Sequence, residues 1–151
     1  MVSHQFSSFY RFHFNLSGSS SRLCKFQMFL LAFPCLVSTF LAQILDCAVF
    51  ESGMAAISTV LLEFLTPGDV LLYSSPLYGG TDHFINDFLN KIGIHTISFT
   101  PNDSKDDIVK KLKNSGLANK LSMIYIETPA NPTNALIDIE MCKSIADHYS
   151  S

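Results

Sequence analysis

The sequence predicts an α/β fold, a mostly parallel sheet with flanking helices, over residues 48–151. Three observations carry it. Apolar runs of strand length alternate with helix-length segments, and Gly, Pro, Asn or Ser marks their boundaries. At least one strand-length run is apolar throughout, as strands buried on both faces of a parallel sheet are. Only three strands emerge before the last helix, too few for a finished doubly wound sheet, so the segment reads as the incomplete front part of a larger domain.

Taken in order, Ala48-Val49-Phe50 is a short extended lead-in that Gly53 breaks. Residues 54–65 then carry apolar side chains on nearly every helical face, which predicts a helix covered on all sides. Thr66-Pro67-Gly68-Asp69 is a turn with Pro and Gly where a helix stop wants them. Residues 70–74 form the compact apolar strand, and residues 76–81 the loop beyond its carboxyl end, where open α/β sheets place ligands.

Residues 82–91 read as a helix with Phe84, Ile85, Phe88 and Leu89 as its apolar stripe, ended by Gly93, and residues 94–99 as a second strand. Asp103-Ser104 begins the next helix, with Asp106 and Asp107 in its first turn and Lys110, Lys111 and Lys113 toward its last. Both placements oppose the helix dipole, so this charge run is a solvated helix face. A third strand over 121–127, a loop over 128–133 and a closing helix over 137–149 complete the order.

Composition bounds the function. The chain has 151 residues, 48% hydrophobic and 15% charged, enough for one globular domain. Its net charge of -3 offers no electrostatic case for nucleic acid. Cys24, Cys35, Cys47 and Cys142 never form a C-x-x-C pair, and the five histidines are scattered, so no metal site is expected.

Residues 1–47 differ in texture and are set apart as an atypical N-terminal segment. The first 25 residues are rich in Ser and Phe and contain no acid, and residues 26–45 are an uncharged apolar run. That run is long enough to span a ~30 Å hydrocarbon core, and the basic residues before it resemble the flank of a signal anchor or signal peptide. Pro34 and the interspersed polar residues argue the other way. A membrane or export segment, a buried amphipathic stretch and a non-native N-terminus all stay open. The expected location is cytoplasmic, with membrane association only through 26–45.

Candidate chemistry lies in three loops. Ser52-Gly53-Met54 opens a helix whose first N–H groups lack intrahelical partners, an anion seat suited to a phosphate. Alone, it reads as a glycine at the entrance to a buried helix, since a short motif match is weak evidence. Tyr78 supplies an aromatic ring beyond the first strand, and Glu127 and Asn131 an acid and an amide beyond the third. A phosphate-bearing aromatic cofactor uses all three kinds of group, and pyridoxal 5'-phosphate fits.

The motifs SGMAAI at 52–57, TPGDVLL at 66–72 with PLYGGT at 76–81, and ETPANPT at 127–133 resemble the cysteine/methionine metabolism family of pyridoxal-phosphate enzymes. This family includes cystathionine γ-synthase, the cystathionine lyases and methionine γ-lyase. The resemblance implies the front part of the fold-type I transferase large domain. It implies phosphate binding by the N–H groups of Gly53 and Met54 and stacking by Tyr78, which also acts in proton transfer. It further implies a hydrogen bond from Asn131 to the ring hydroxyl and support of the site by Glu127.

The implied reaction is β- or γ-elimination or γ-replacement on cystathionine, methionine or homoserine derivatives, in a homo-oligomer. The family's lysine that bonds the cofactor and its aspartate facing the pyridine nitrogen lie downstream of the Asn-Pro motif, and neither falls within these residues. The chain alone is therefore expected to be a truncated, inactive form. The alternatives are a non-catalytic membrane-attached protein and a truncated interaction subunit.

Overall fold

The computed structural model describes residues 50–149, together with the backbone of Arg11–Phe12 and Met28–Phe29, which pair antiparallel. The apolar run 26–45 otherwise lies outside the described residues. Among the described residues no helix is long and apolar enough to cross a membrane.

Ser52 caps helix α1 (Gly53–Phe64): its Oγ accepts the Ala55 N–H at 3.1 Å. Ala56, Ile57, Val60 and Leu61 face inward, and Leu65 just past the helix end joins them. The expectation of cover on all sides is not met, because Leu62 and Phe64 remain exposed. The helix packs one face on the sheet, and its other side is the outer layer of the described residues.

Thr66 closes the following turn by donating its N–H and Oγ1 to Asp69 Oδ2 at 2.7 and 2.9 Å. Gly68, at φ +98°, occupies the left-handed region this turn requires. Strand β1 (Val70–Ser74) is buried along its whole length, as a strand with sheet neighbours on both sides and helices on both faces should be. Strand β2 (His95–Phe99) and strand β3 (Leu121–Tyr125) pair with it in parallel, giving the order β2-β1-β3.

Between β1 and β2 the chain forms helix α2 (Gly79–His83), continued by a π-helical stretch over Phe84–Leu89. The helix begins three residues before the expected Asp82, so Gly79, Gly80 and Thr81 belong to its first turn and not to the loop. Helix α3 (Lys105–Asn114) carries a full capping box, Ser104 and Asp107 each bonding the other's backbone. Helix α4 (Ile139–Tyr149) starts on Asp138, whose Oδ1 accepts the Met141 N–H at 3.0 Å.

The sheet divides the core. One cluster joins α1 and the π-helical stretch, through Ile85 and Leu89, with Leu71, Tyr73, Met123 and Tyr125, and the other joins α3 and α4 with Val70, Leu72, Leu121 and Ile124. Leu71 and Tyr73 alternate with Val70 and Leu72, as pleating demands. Leu121 escapes that rule: it pairs with Val70 while Met123 pairs with Leu71, so Ser122 is an extra residue in the ladder. The irregularity moves Leu121 to the face of Ile124.

Candidate functional site

The loop after β1 is held by a residue from the far end of β3. Glu127 is 2% exposed, and its two oxygens take three donors: the Tyr78 N–H at 2.7 Å, Thr81 Oγ1 at 2.8 Å and the Tyr125 hydroxyl at 2.9 Å. Its own N–H donates to Ser74 Oγ at 3.0 Å. A carboxyl group this deeply buried is tolerated because every oxygen has a donor. Its carboxyl group thus joins three elements: the end of β3, the start of α2 and the entry to Tyr78.

The Tyr78 ring leaves that anchor toward solvent and is 45% exposed. It lies against Gly80 on the same side as the Met54 thioether, since both approach the point where a side chain on Gly80 would begin. The structure therefore brings the start of α1 to the Tyr78 loop, which Glu127 of the third motif anchors. At α1 the cap accounts for Ala55 N, and Ala56 N reaches Ser52 O at 3.1 Å. Among the described residues no hydrogen bond uses the N–H of Gly53 or Met54, so both are available to an anion at the positive end of a helix dipole.

Asn131 is exposed on the loop between β3 and α4, which closes on itself through Ala130 N to Ala135 O at 2.9 Å and Asn134 N to Ala130 O at 2.7 Å. Thr128 Oγ1 accepts the Ile137 N–H at 3.1 Å and ties the loop's far end back. The Thr128–Pro129 and Asn131–Pro132 peptide bonds are cis, as is Ser75–Pro76. Among the described residues no hydrogen bond joins Asn131 to Gly53, Met54 or Tyr78.

An open groove of about 440 Å³ runs between the loops that follow the three strands, lined by Ser75, Pro76, Thr100, Pro101, Asn102, Thr133 and Ala135. It occupies the carboxyl-end position common to open α/β sheets, but none of the five candidate residues lines it. Among the described residues no cluster of three metal-ligating side chains occurs.

Ser74, Thr81 and Tyr125, the groups that surround Glu127, were not singled out from sequence. A hydroxyl in an otherwise apolar strand, at Ser74, was the available signal. Gly80 was hidden for another reason: its importance lies in what occupies the space beside it.

Helix-start N–H groups and an aromatic ring beside a parallel α/β sheet are the kinds of group with which α/β proteins hold phosphorylated cofactors. The match that specifies the cofactor is to the family described as Cys/Met metabolism PLP-dependent enzyme, over residues 39–150, and the chain belongs to this family. The matched span begins within the segment that composition sets apart.

Cystathionine beta-lyase MetC of Bacillus subtilis is 37% identical over 98 residues, covering 64% of this chain and 23% of that protein. Cystathionine gamma-lyase of Homo sapiens is 34% identical over 103 residues, 68% of this chain and 24% of that protein. Among solved structures, metB from Corynebacterium glutamicum superposes with a TM-score of 0.56 at 27% identity, covering 67% of this chain and 25% of that one. The chain thus spans about a quarter of the length of these relatives.

Proposed function

We propose that residues 48–151 form the phosphate end of a pyridoxal 5'-phosphate site. The carrying observation is the pair of available N–H groups, Gly53 and Met54, opening a helix beside the Tyr78 ring. The donor set suits a phosphate monoester, and the half-exposed ring suits stacking on a flat heterocycle. When bound, the cofactor supplies an electron sink for a carbanion at the substrate. Gly53 and Met54 bind the phosphate, and Tyr78 orients the ring and offers a phenol for proton transfer. Asn131 offers an amide to the ring hydroxyl. Glu127 is a supporting residue, because its oxygens are already engaged with Tyr78, Thr81 and Tyr125.

For the complete enzyme we propose β- or γ-substituent chemistry on a sulfur amino acid or a homoserine derivative, in a homo-oligomer. The cystathionine lyases among the relatives support this substrate class. No lysine of this sequence stands in the Ser-x-Thr-Lys pattern that carries the family's cofactor-bonding lysine, so the chain alone is proposed to be inactive.

Pyridoxamine 5'-phosphate, which has no aldehyde to label surface lysines, is the test ligand. Its titration against the purified chain is expected to show saturable binding that pyridoxamine lacks and that inorganic phosphate competes. Equal affinity for the two amines, or no effect of inorganic phosphate, would overturn the assignment of Gly53 and Met54.

A further inference from the structure

Two glycines stand side by side at the start of α2, and they differ. A Cβ on Gly79 would meet nothing within 4 Å, whereas a Cβ on Gly80 would stand 2.8 Å from Tyr78 Cε1 and 3.0 Å from Met54 Sδ. Carbon atoms in contact prefer about 3.5–4.0 Å, so a methyl group does not fit there with the ring in place. Backbone conformation does not demand glycine at this position, since Gly80 is helical and its φ is not positive. The space beside it is used instead by two side chains of the candidate site.

The Tyr78 backbone has little freedom to yield. Its N–H is held by Glu127 at 2.7 Å, its carbonyl accepts the Asp82 N–H at 2.9 Å, and Thr81 is tied to the same carboxyl group. A side chain at position 80 must therefore turn the ring about its own torsions. Met54 bears on this from the other motif: its N–H belongs to the anion seat, while its sulfur stands beside the space the ring uses.

We propose that Gly80 is a positioning residue that sets the direction of the Tyr78 ring, with Met54 linking that ring to the anion seat at the start of α1. The geometry stands on the contacts alone; its consequence for cofactor binding rests on the function proposed above.

The full chain, labelled with ¹³C at the methionine methyls, provides the test. The Met54 methyl is expected to show a nuclear Overhauser contact to the Tyr78 ring and a ring-current shift that Tyr78→Leu abolishes. Gly80→Ala should remove the contact and move the methyl resonance, and Met54→Ala added to Gly80→Ala should return the ring signals toward those of Met54→Ala alone. Pyridoxamine 5'-phosphate affinity should fall about three- to tenfold in Gly80→Ala, the range of one lost aromatic stacking interaction. In the Tyr78→Leu background the same substitution should produce no further loss.

An unchanged Met54 methyl and a retained contact in Gly80→Ala overturn the proposal. Should the unsubstituted chain bind no pyridoxamine 5'-phosphate, the cofactor reading fails, and the methyl signals still decide the role of Gly80. Should Gly80→Ala not fold, the Tyr78→Leu/Gly80→Ala variant, which lacks the ring, is expected to fold; its failure to do so also overturns the proposal.

Discussion

The loops that follow β1 and β3 each carry a candidate site residue, yet they are secured in opposite ways. The Tyr78 loop is fixed at long range, by a buried carboxyl group 46 and 49 residues away along the chain. The Asn131 loop is secured by its own backbone and by Thr128, all within the segment 128–137. The loop after β2 resembles the second: Asp103 Oδ2 accepts the Thr100 N–H at 2.6 Å and Thr100 Oγ1 at 3.0 Å. A local anchor sets the shape of a loop, whereas a distant one also sets its position relative to another element. Only the Tyr78 loop is placed in that second sense, and it is the one whose ring must meet the start of α1.

Removing the long-range anchor gives the largest effect. Glu127→Leu takes the acceptor from the part-buried Tyr78 N–H and the buried Thr81 hydroxyl, and is expected to cost about 3 kcal/mol in urea denaturation. A cost below about 1 kcal/mol would mean that the loop is held by something other than Glu127.

Asp103→Ala, the matching deletion of a local anchor, is expected to cost about 1 kcal/mol, because water reaches the groups it frees. The same residue has a pH signature. The Thr100 N–H and the Lys111 ammonium, 2.9 Å from Oδ2, hold the Asp103 carboxyl below its usual value. A depressed folded-state pKa contributes stability above the unfolded value of 3.8, and this is lost as pH falls through the folded value. Asp103→Asn should therefore flatten the loss of stability below about pH 4.

On the opposite face of the sheet, Cys142 tests how tightly α4 closes the second cluster. Burial, with Asp138 nearby, pushes its thiol up to about 11. The folded chain keeps that proton between pH 9.0 and about 11 while the unfolded chain loses it, so Cys142 withdraws stability as pH rises through this window. At pH 8 a thiol-specific reagent should modify Cys142 far more slowly in the folded chain than in urea; equal rates would show that α4 opens freely.

The smallest stability effect completes the contrast. Asn131→Ala removes an exposed side chain and should change stability by less than about 0.5 kcal/mol. It should nonetheless weaken binding of pyridoxamine 5'-phosphate if Asn131 bonds the ring hydroxyl, and unchanged affinity would remove Asn131 from the site.

Much of this was legible in the residues. The strand at Val70–Ser74, the turn at Thr66–Asp69 and the Ser104 cap with its opposed charges follow from local rules, and each appears where those rules place it. The early start of α2 was less visible, because two glycines and a threonine read as loop until Tyr78 is held in place. The extra residue at Ser122 was not visible at all: strict alternation assigns Leu121 to the face of Met123, and only pairing with Val70 moves it.

By itself, then, the sequence determined the order of elements, the Ser52 cap that opens α1 and the membership of Gly53, Met54, Tyr78, Glu127 and Asn131 in recognisable motifs. Capping, periodicity and turn chemistry act over a few residues and leave a local signature. Only the tertiary structure decided which motifs meet. It set the Tyr78 ring beside Met54 across Gly80, turned the Glu127 carboxyl group inward and left Asn131 on an exposed loop. Those outcomes depend on contacts between residues far apart in the chain, formed when β3 docks beside β1, and no window of local sequence contains them.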